Sequence, residues 1–252
     1  NNISTLILNF SSTDIPSQEE AMPIMAEIME KIAALPQVDA VSQSSSPLDD
    51  FNVRPLTNII DNKQHTPDLK TIDHRYFNII EQPLLQGNYF TLADRQDGTH
   101  VVIVNQAFAK QLKVNGDVLG LQLSTGKGDP LKTIVGIVKD ITIPNHSVTN
   151  SDNVTIGVPR VYETNSLANQ SFMVKVKSGQ SVSREQLGKL IGEVDSRYSV
   201  FSFNTTSDTL NKSLFAEITT AVTTAVLASL VFILAGIGLY GIFGYGTQLR
   251  RF

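Results

Sequence analysis

The chain has no cysteine. That suits a bacterial extracytoplasmic domain that does not depend on disulfides. Its four histidines, His65, His74, His100 and His146, show no His-x-His or His-x-x-x-His spacing, so no zinc site is expected. No block of basic residues interrupts a net charge of -4, which argues against nucleic acid as a partner. The start, Asn1-Asn2-Ile3-Ser4, is polar and lacks the charged opening of a signal peptide. An outside domain then needs another route across the membrane. The expectation is that the sequence is a fragment, with a first transmembrane helix ending just before Asn1. No Ser or Cys sits in a recognisable nucleophile elbow, and Asp73-His74 alone makes no catalytic set. Asp49, Asp50, Asp94 and Asp97 stand beside turn residues and read as solvated. From Ile218 to Leu249 there is no Asp, Glu, Lys or Arg.

That uncharged stretch organises the rest. A spanning helix needs about 20 mostly apolar residues. A soluble core helix of this length would show a polar face, and this one does not. Arg250 and Arg251 follow the span and Glu217 precedes it, so the positive-inside rule puts its C-terminal end in the cytoplasm and residues 1–217 outside. Thr205-Thr-Ser-Asp208 is a helix start signal, and Leu214, Phe215 and Ile218 lead on without proline into the span. From Asp208 to Gln248 one helix would measure about 60 Å, roughly twice the hydrocarbon thickness. Residues 207–220 therefore read as a stalk, 221–249 as the transmembrane helix and 250–252 as the start of a cytoplasmic segment. Ala225, Ala228 and Ala235, then Gly238, Gly241 and Gly244, supply small residues for a packing face in lipid.

The outer part, within a chain that is 41% apolar, can bury a core. Thr5-Leu-Ile-Leu-Asn-Phe10 reads as a buried strand. Ser17-Gln-Glu-Glu20 is a capping box, followed by apolar residues at helical spacing from Ala21 to Leu35. Pro23 is awkward in a helix interior, so the regular helix is expected to start near Met22. Val38-Asp-Ala-Val-Ser42 completes a β-α-β unit. A second unit follows later. Ser171 to Lys177 alternates as a half-exposed strand, Ser183 caps a helix with Leu187, Leu190, Ile191 and Val194 inward, and Tyr198 to Phe203 alternates again. Two such units form one ferredoxin-like layer. Between them, from about Pro47 to Glu163, lies a strand-rich insertion with one or two short helices. In it Val101–Val104 and Thr133–Lys139 read as buried strands, Gly136 as a bulge or close approach, and Asp140–Asn153 as a loop. Gly120 to Gly128 has five residues between glycines and Gly128 after Lys127, so it is a hairpin turn and not a phosphate loop.

Four segments carry a family resemblance. They are Asp73-His-Arg-Tyr-Phe77 with Gln82-Pro-Leu-Leu-Gln-Gly-Asn-Tyr-Phe90 and Ala93-Asp94; Val101-Val-Ile-Val-Asn-Gln-Ala-Phe-Ala109; Leu119-Gly120 with Thr133-Ile-Val-Gly-Ile-Val-Lys-Asp140; and the tail from Ala235 to Arg251. In this order they resemble the permease subunit of MacB-like ABC transporters, the FtsX-type superfamily. Asn88 stands where that family usually has Arg. The resemblance implies an α+β periplasmic domain. A porter-like βαβ/βαβ subdomain (1–46 and 164–206) is split by a β-rich inserted subdomain (47–163).

It also implies a non-catalytic permease in the bacterial inner membrane, multi-pass in the full protein. Its partners would be a cytoplasmic ABC ATPase, a second permease copy or half, membrane lipid and a periplasmic or outer-membrane protein. ATP belongs to the ATPase, and no cofactor is expected in this chain. The stalk, with Asp208, Leu214, Phe215 and Ile218, would transmit ATP-driven motion outward to export or release a substrate. The alternative reading is the outer domain of a membrane-bound sensor.

Overall fold

The computed structural model describes residues 2–10, 16–45, 51–112, 117–126, 128–141, 148–149, 155–205 and 218–236. They fall into two compact units, Asn1–Thr206 and Ser207–Phe252. The first unit opens with β1 (Ile3–Phe10), α1 (Gln18–Ala33) and β2 (Val38–Ser42). There follow β3 (Asn52–Val53), β4 (Leu56–Asn58), β5 (Gln64–His65), β6 (Asp68–Ile72), α2 (Tyr76–Ile80), β7 (Leu84–Gly87) and α3 (Leu92–Gln96). Next come β8 (Val101–Asn105), α4 (Gln106–Gln111), β9 (Gln122–Ser124), β10 (Lys132–Val138), β11 (Val148–Thr149), β12 (Thr155–Ile156) and β13 (Arg160–Thr164). The unit closes with β14 (Ser171–Val176), α5 (Arg184–Val194) and β15 (Tyr198–Thr205).

A four-stranded sheet has the order β15-β1-β14-β2, each neighbour antiparallel. The first β-α-β half supplies β1 and β2, and the second supplies β14 and β15. They interleave, which is the ferredoxin-like layer the two halves imply. Leu6 and Leu8 of β1, with Phe172 and Val174 of β14, meet Met25, Ile28 and Ile32 of α1 and Leu187 and Ile191 of α5. Each such side chain contributes about 1.5–3 kcal/mol through its burial.

Helix α1 starts earlier than its proline suggested. Ser17 Oγ accepts from the Glu20 N–H at 3.2 Å and the Glu20 carboxylate accepts from the Ser17 N–H at 3.2 Å, closing a capping box. Pro23 stays inside the helix on its exposed side. Its missing N–H leaves only the Glu19 carbonyl unserved, and Glu19 is exposed to water.

The second sheet has nine strands, in the order β3-β6-β13-β8-β10-β9-β4-β5 with β7 paired to β10. Strands β8 and β10 are parallel and central. Val101–Val104 reads as an unbroken apolar run because both faces are covered. Val102 and Val104 join Leu56, Phe108 and Val161 on one side. Ile103 joins Ile72, Tyr76, Phe77, Phe90 and Tyr162 on the other.

Three expectations change here. The insertion holds three short helices, α2, α3 and α4, rather than one or two. Residues 148–149 and 155–156 pair as a small antiparallel ladder within the stretch expected to be loop, or just beyond it. Strand β14 is buried on both faces, not half-exposed. Phe172 and Val174 enter the helix-side core, while Met173 on the opposite face joins Ile3 and the aromatic cluster of the inserted sheet. Alternation in the sequence missed this because the second face is covered by Ile3 and by side chains of the insertion, outside the local pattern of β14.

Two glycines carry the inserted sheet's tightest approach. At Gly136 the β10–β8 register shifts, and a Cβ there would lie 2.4 Å from the Asn88 carbonyl oxygen. At Gly87, with φ +77°, a Cβ would lie 2.1 Å from the Val135 carbonyl oxygen. The bulge and the close approach expected at Gly136 are both present. Of the stretch Gly120 to Gly128, expected to be a hairpin turn, Gln122–Ser124 is strand β9, and Gly126 and Gly128 lie in the connection of the β9–β10 hairpin.

The second unit contains one described helix, α6 (Ile218–Gly236), of 19 residues and mean hydropathy 2.2, with none of it buried within the structure. It is long and apolar enough to cross a membrane, at about 28 Å. Three of its hydroxyls are satisfied within the helix. Thr223 donates to the Thr219 carbonyl (2.8 Å), Thr224 to Thr220 (2.9 Å) and Ser229 to Ala225 (2.8 Å), as apolar surroundings require.

Replacing Gly136 by alanine is expected to lower the unfolding free energy by about 2 kcal/mol or more, because backbone blocks the new methyl group. Gly188→Ala, on α5 with open space around the Cβ position, should raise it by roughly 0.5–1 kcal/mol. Urea unfolding of the detergent-solubilised chain, followed by circular dichroism, separates the two.

Candidate functional site: the junction of the two sheets

Two connections join the sheets, one after β2 and one after β13. Their described residues meet in a buried network of polar side chains. Ser42, Gln43, Ser44, Asp73, Arg95 and Asn165 are all at least nine-tenths buried. A buried carboxylate is tolerated only when its lone pairs are filled, and Asp73, just past β6, is filled by the chain leaving β2. Its Oδ1 accepts from Ser42 Oγ (2.5 Å), Ser44 Oγ (3.4 Å) and the Arg75 N–H (3.0 Å). Its Oδ2 accepts from the Gln43 N–H (2.9 Å). Ser44 Oγ in turn accepts from the Asp73 N–H at 2.8 Å. The adjacent His74 takes no part in these bonds.

Farther along the first connection, Lys70 Nζ donates to Ser45 Oγ at 3.0 Å. The Phe51 ring is held between two cations, Lys70 Nζ 4.8 Å and Arg160 Cζ 4.9 Å from its centroid. Desolvated contacts of this kind are worth about 2 kcal/mol. Tyr76 and Tyr162 lie in the same layer. Burial pushes both hydroxyl pKa values up, with Arg160 opposing the shift.

Arg95, on α3, holds the second connection. Its Nε donates to the Asn165 carbonyl (3.2 Å), and its Nη2 donates to the Ser166 carbonyl (2.9 Å) and to Gln43 Oε1 (2.7 Å). Gln43 Nε2 donates to the carbonyls of Leu167 (2.7 Å) and Asn169 (2.5 Å), and Asn165 Nδ2 donates to the Gln43 carbonyl. Gln43 thus bridges the two connections. Asp94, expected to be merely solvated, closes the capping box of α3. It accepts from the Thr91 N–H and hydroxyl (2.8 and 2.6 Å), and these bonds and one from Thr99 hold its pKa down against the effect of burial.

Beside this network a cavity of about 380 Å³ opens between α1 and the inserted sheet. Gln18, Met22, Arg95, Lys132, Glu163 and Ser166 are among its lining residues. Among the described residues no group of three or more His, Cys, Asp or Glu is placed to hold a metal.

The junction was not among the sequence-derived sites. Those sites lie at the other end of the chain. Ile218, Ala225, Ala228 and Ala235 are on α6, where all are exposed. Asp208, Leu214, Phe215, Gly238, Gly241, Gly244, Arg250 and Arg251 lie outside the described residues. The one signal that could have marked the junction is the run Gln43-Ser-Ser-Ser46, polar directly after a buried strand.

A ferredoxin-like layer interrupted by an inserted sheet, with a membrane-length apolar helix in the following unit, defines the class: an α+β domain of a membrane protein. The MacB-like periplasmic core domain family matches residues 4–188, and the chain belongs to it. Among solved structures it is similar to the periplasmic region of MacB from Actinobacillus actinomycetemcomitans, with TM-score 0.55 and 17% identity over 84% of this chain and 92% of that one. It is also similar to the extracellular domain of the noncanonic ABC-type transporter YknZ from Gram-positive bacteria, with TM-score 0.50 and 17% identity over 79% of this chain and all of that one. At such identities these likenesses concern the fold. No curated protein matches the chain.

The coupling within the junction is measurable. Arg95→Met and Gln43→Ala should each cost about 2–3 kcal/mol by stranding buried partners, and the double variant should depart from additivity by more than about 0.5 kcal/mol. A urea-unfolding double-mutant cycle measures both. Acidification probes the histidines. Burial holds His65 below the ordinary value of 6.5, with Lys63 adding to it and Asp61 opposing. Burial also lowers His74, with Asp73 opposing. A histidine whose folded pKa is depressed contributes stability that is present above pH 6.5 and lost as pH falls through the folded value. Stability should therefore decline on acidification below about pH 6.5, and His65→Gln with His74→Gln should flatten that decline in unfolding titrations.

Proposed function

We propose that this chain is a segment of an ABC-transporter permease that transmits motion and performs no covalent chemistry. The carrying observation is a succession along the chain. Strand β15, paired with β1, ends at Thr205, and the membrane-length helix α6 begins at Ile218. A helix shift driven from the cytoplasm enters the outer domain through β15. The hydrogen-bonded junction then carries it from the ferredoxin-like layer to the inserted sheet as one body.

In this reading residues 1–217 are extracytoplasmic, 207–220 are the stalk and 221–249 the span in the bacterial inner membrane. The porter-like part is 1–46 with 164–206 and the inserted part is 47–163. Arg250 and Arg251 anchor the cytoplasmic end, and Ala225, Ala228, Ala235, Gly238, Gly241 and Gly244 form a packing face toward a second permease copy or half. A cytoplasmic ABC ATPase supplies ATP hydrolysis, and the substrate is exported across, or released from, the membrane. Family membership and the helix support this assignment.

The test is a flexible Gly-Ser insertion beside Phe215 in the full permease, reconstituted with its ATPase. Membrane insertion and basal ATP hydrolysis should persist while substrate transport is lost. Normal transport by this variant would refute the rod-like role of the stalk.

A further inference from the structure

The cavity beside the junction has the size of a small-ligand site, and its polar groups are unevenly spent. Arg95 is 6% exposed. Its Nε and Nη2 are engaged by Asn165, Ser166 and Gln43, whereas its Nη1 makes no hydrogen bond among the described residues, and Arg95 is part of the cavity wall. Ser166, on the same wall, accepts twice at its Oγ, from Gln18 Nε2 (2.9 Å) and from the Ala168 N–H (3.1 Å). A hydroxyl has one proton to donate; Ser166 is exposed and gives its proton to no described group, so that proton goes to water or to an occupant of the cavity. The Ser166 carbonyl accepts from Arg95 Nη2, so the two unspent donors belong to directly bonded residues.

The other charges are balanced. Lys132 and Glu163 form an ion pair within the wall, which leaves Arg95 as the one other Arg, Lys, Asp or Glu side chain among the lining residues. Met22, Val101 and Leu167 give the wall an apolar part. Unspent donors, one of them on a cation fixed in place by its other bonds, match an anionic acceptor. A planar carboxylate suits a guanidinium edge better than a spherical ion does.

We propose that this cavity binds a carboxylate carrying a short apolar body, with Arg95 Nη1 and Ser166 Oγ as donors and Met22 against the apolar part. The site lies where α1 of one layer faces the inserted sheet, so an occupant touches both sides of the junction. It does not depend on the stalk reading.

The probes are N-acetyl-alanyl-alanine, its C-terminal amide and propionate. Each is titrated by calorimetry into the full permease in nanodiscs to about 10 mM, a range in which a millimolar Kd is measurable. The acetylated dipeptide should bind at least about tenfold more tightly than its amide, the worth of a charge-assisted hydrogen bond. Equal binding of propionate identifies a small organic acid as the ligand class, and preference for the dipeptide identifies a peptide C-terminus. Ser166→Ala removes the hydroxyl donor. Met22→Trp fills the cavity from a half-buried position on α1, outside the hydrogen-bonded network, so it remains informative if the junction proves sensitive. Each should weaken the dipeptide about tenfold. Absence of binding, equal binding of acid and amide, or full affinity in both variants would overturn the proposal.

Discussion

A buried carboxyl group needs several hydrogen-bond donors, and Asp73 finds them only when two distant parts of the chain meet. Three come from Ser42, Gln43 and Ser44 at the end of β2, and one from Arg75 beyond β6. The serines and the Gln43 N–H belong to the ferredoxin-like layer's exit. Asp73 belongs to the inserted sheet. Withdrawing either part leaves a buried charge or buried donors unmatched, at several kcal/mol. The same logic governs Arg95, whose partners are carbonyls of the returning connection. The two sheets are thereby fixed to each other by polar groups, with the aromatic cluster of Tyr76, Phe77, Phe90 and Tyr162 supplying apolar area beneath.

This arrangement bears on how an outer domain responds to force. Hydrophobic contacts are non-directional and tolerate sliding, whereas hydrogen bonds at 2.5–3.2 Å hold angle as well as distance. A junction of buried, charge-assisted bonds resists shear between layers. Such a junction suits a part that moves as one piece, in keeping with the proposed transmission of motion.

Much of the fold was readable from local patterns. The capping box at Ser17, the helix faces of α1 and α5, the apolar run of β8 and the two β-α-β halves each follow from the spacing of neighbouring residues. Gly136 announced its close approach because a glycine inside an apolar strand marks a bulge or a place where another backbone comes near. The junction was hidden because its members, Gln43, Asp73, Arg95 and Asn165, are scattered along the chain and individually resemble surface residues. Nothing in a sequence states that a serine run will fill a carboxylate thirty positions away. The double burial of β14 escaped for the same reason, since Met173 is covered by side chains of the insertion. Pro23 misled because its usual meaning assumes an unassisted helix start, and here the cap holds the first turn.

The order of strands has a consequence for the birth of the chain. Strand β1 pairs with β14 and β15 alone, and both lie beyond residue 170. The first strand therefore leaves the ribosome without a partner and waits while the whole insertion is synthesised. The inserted sheet draws all its strands from residues 52 to 164, so it can close before either partner of β1 is made. It then brings the end of β2 and the start of β14 side by side, so the long-range closure β1 needs is prepared before its partners arrive. Lodging a domain inside another thus makes the host's assembly conditional on the guest's, and synthesis from N- to C-terminus imposes that sequence of events.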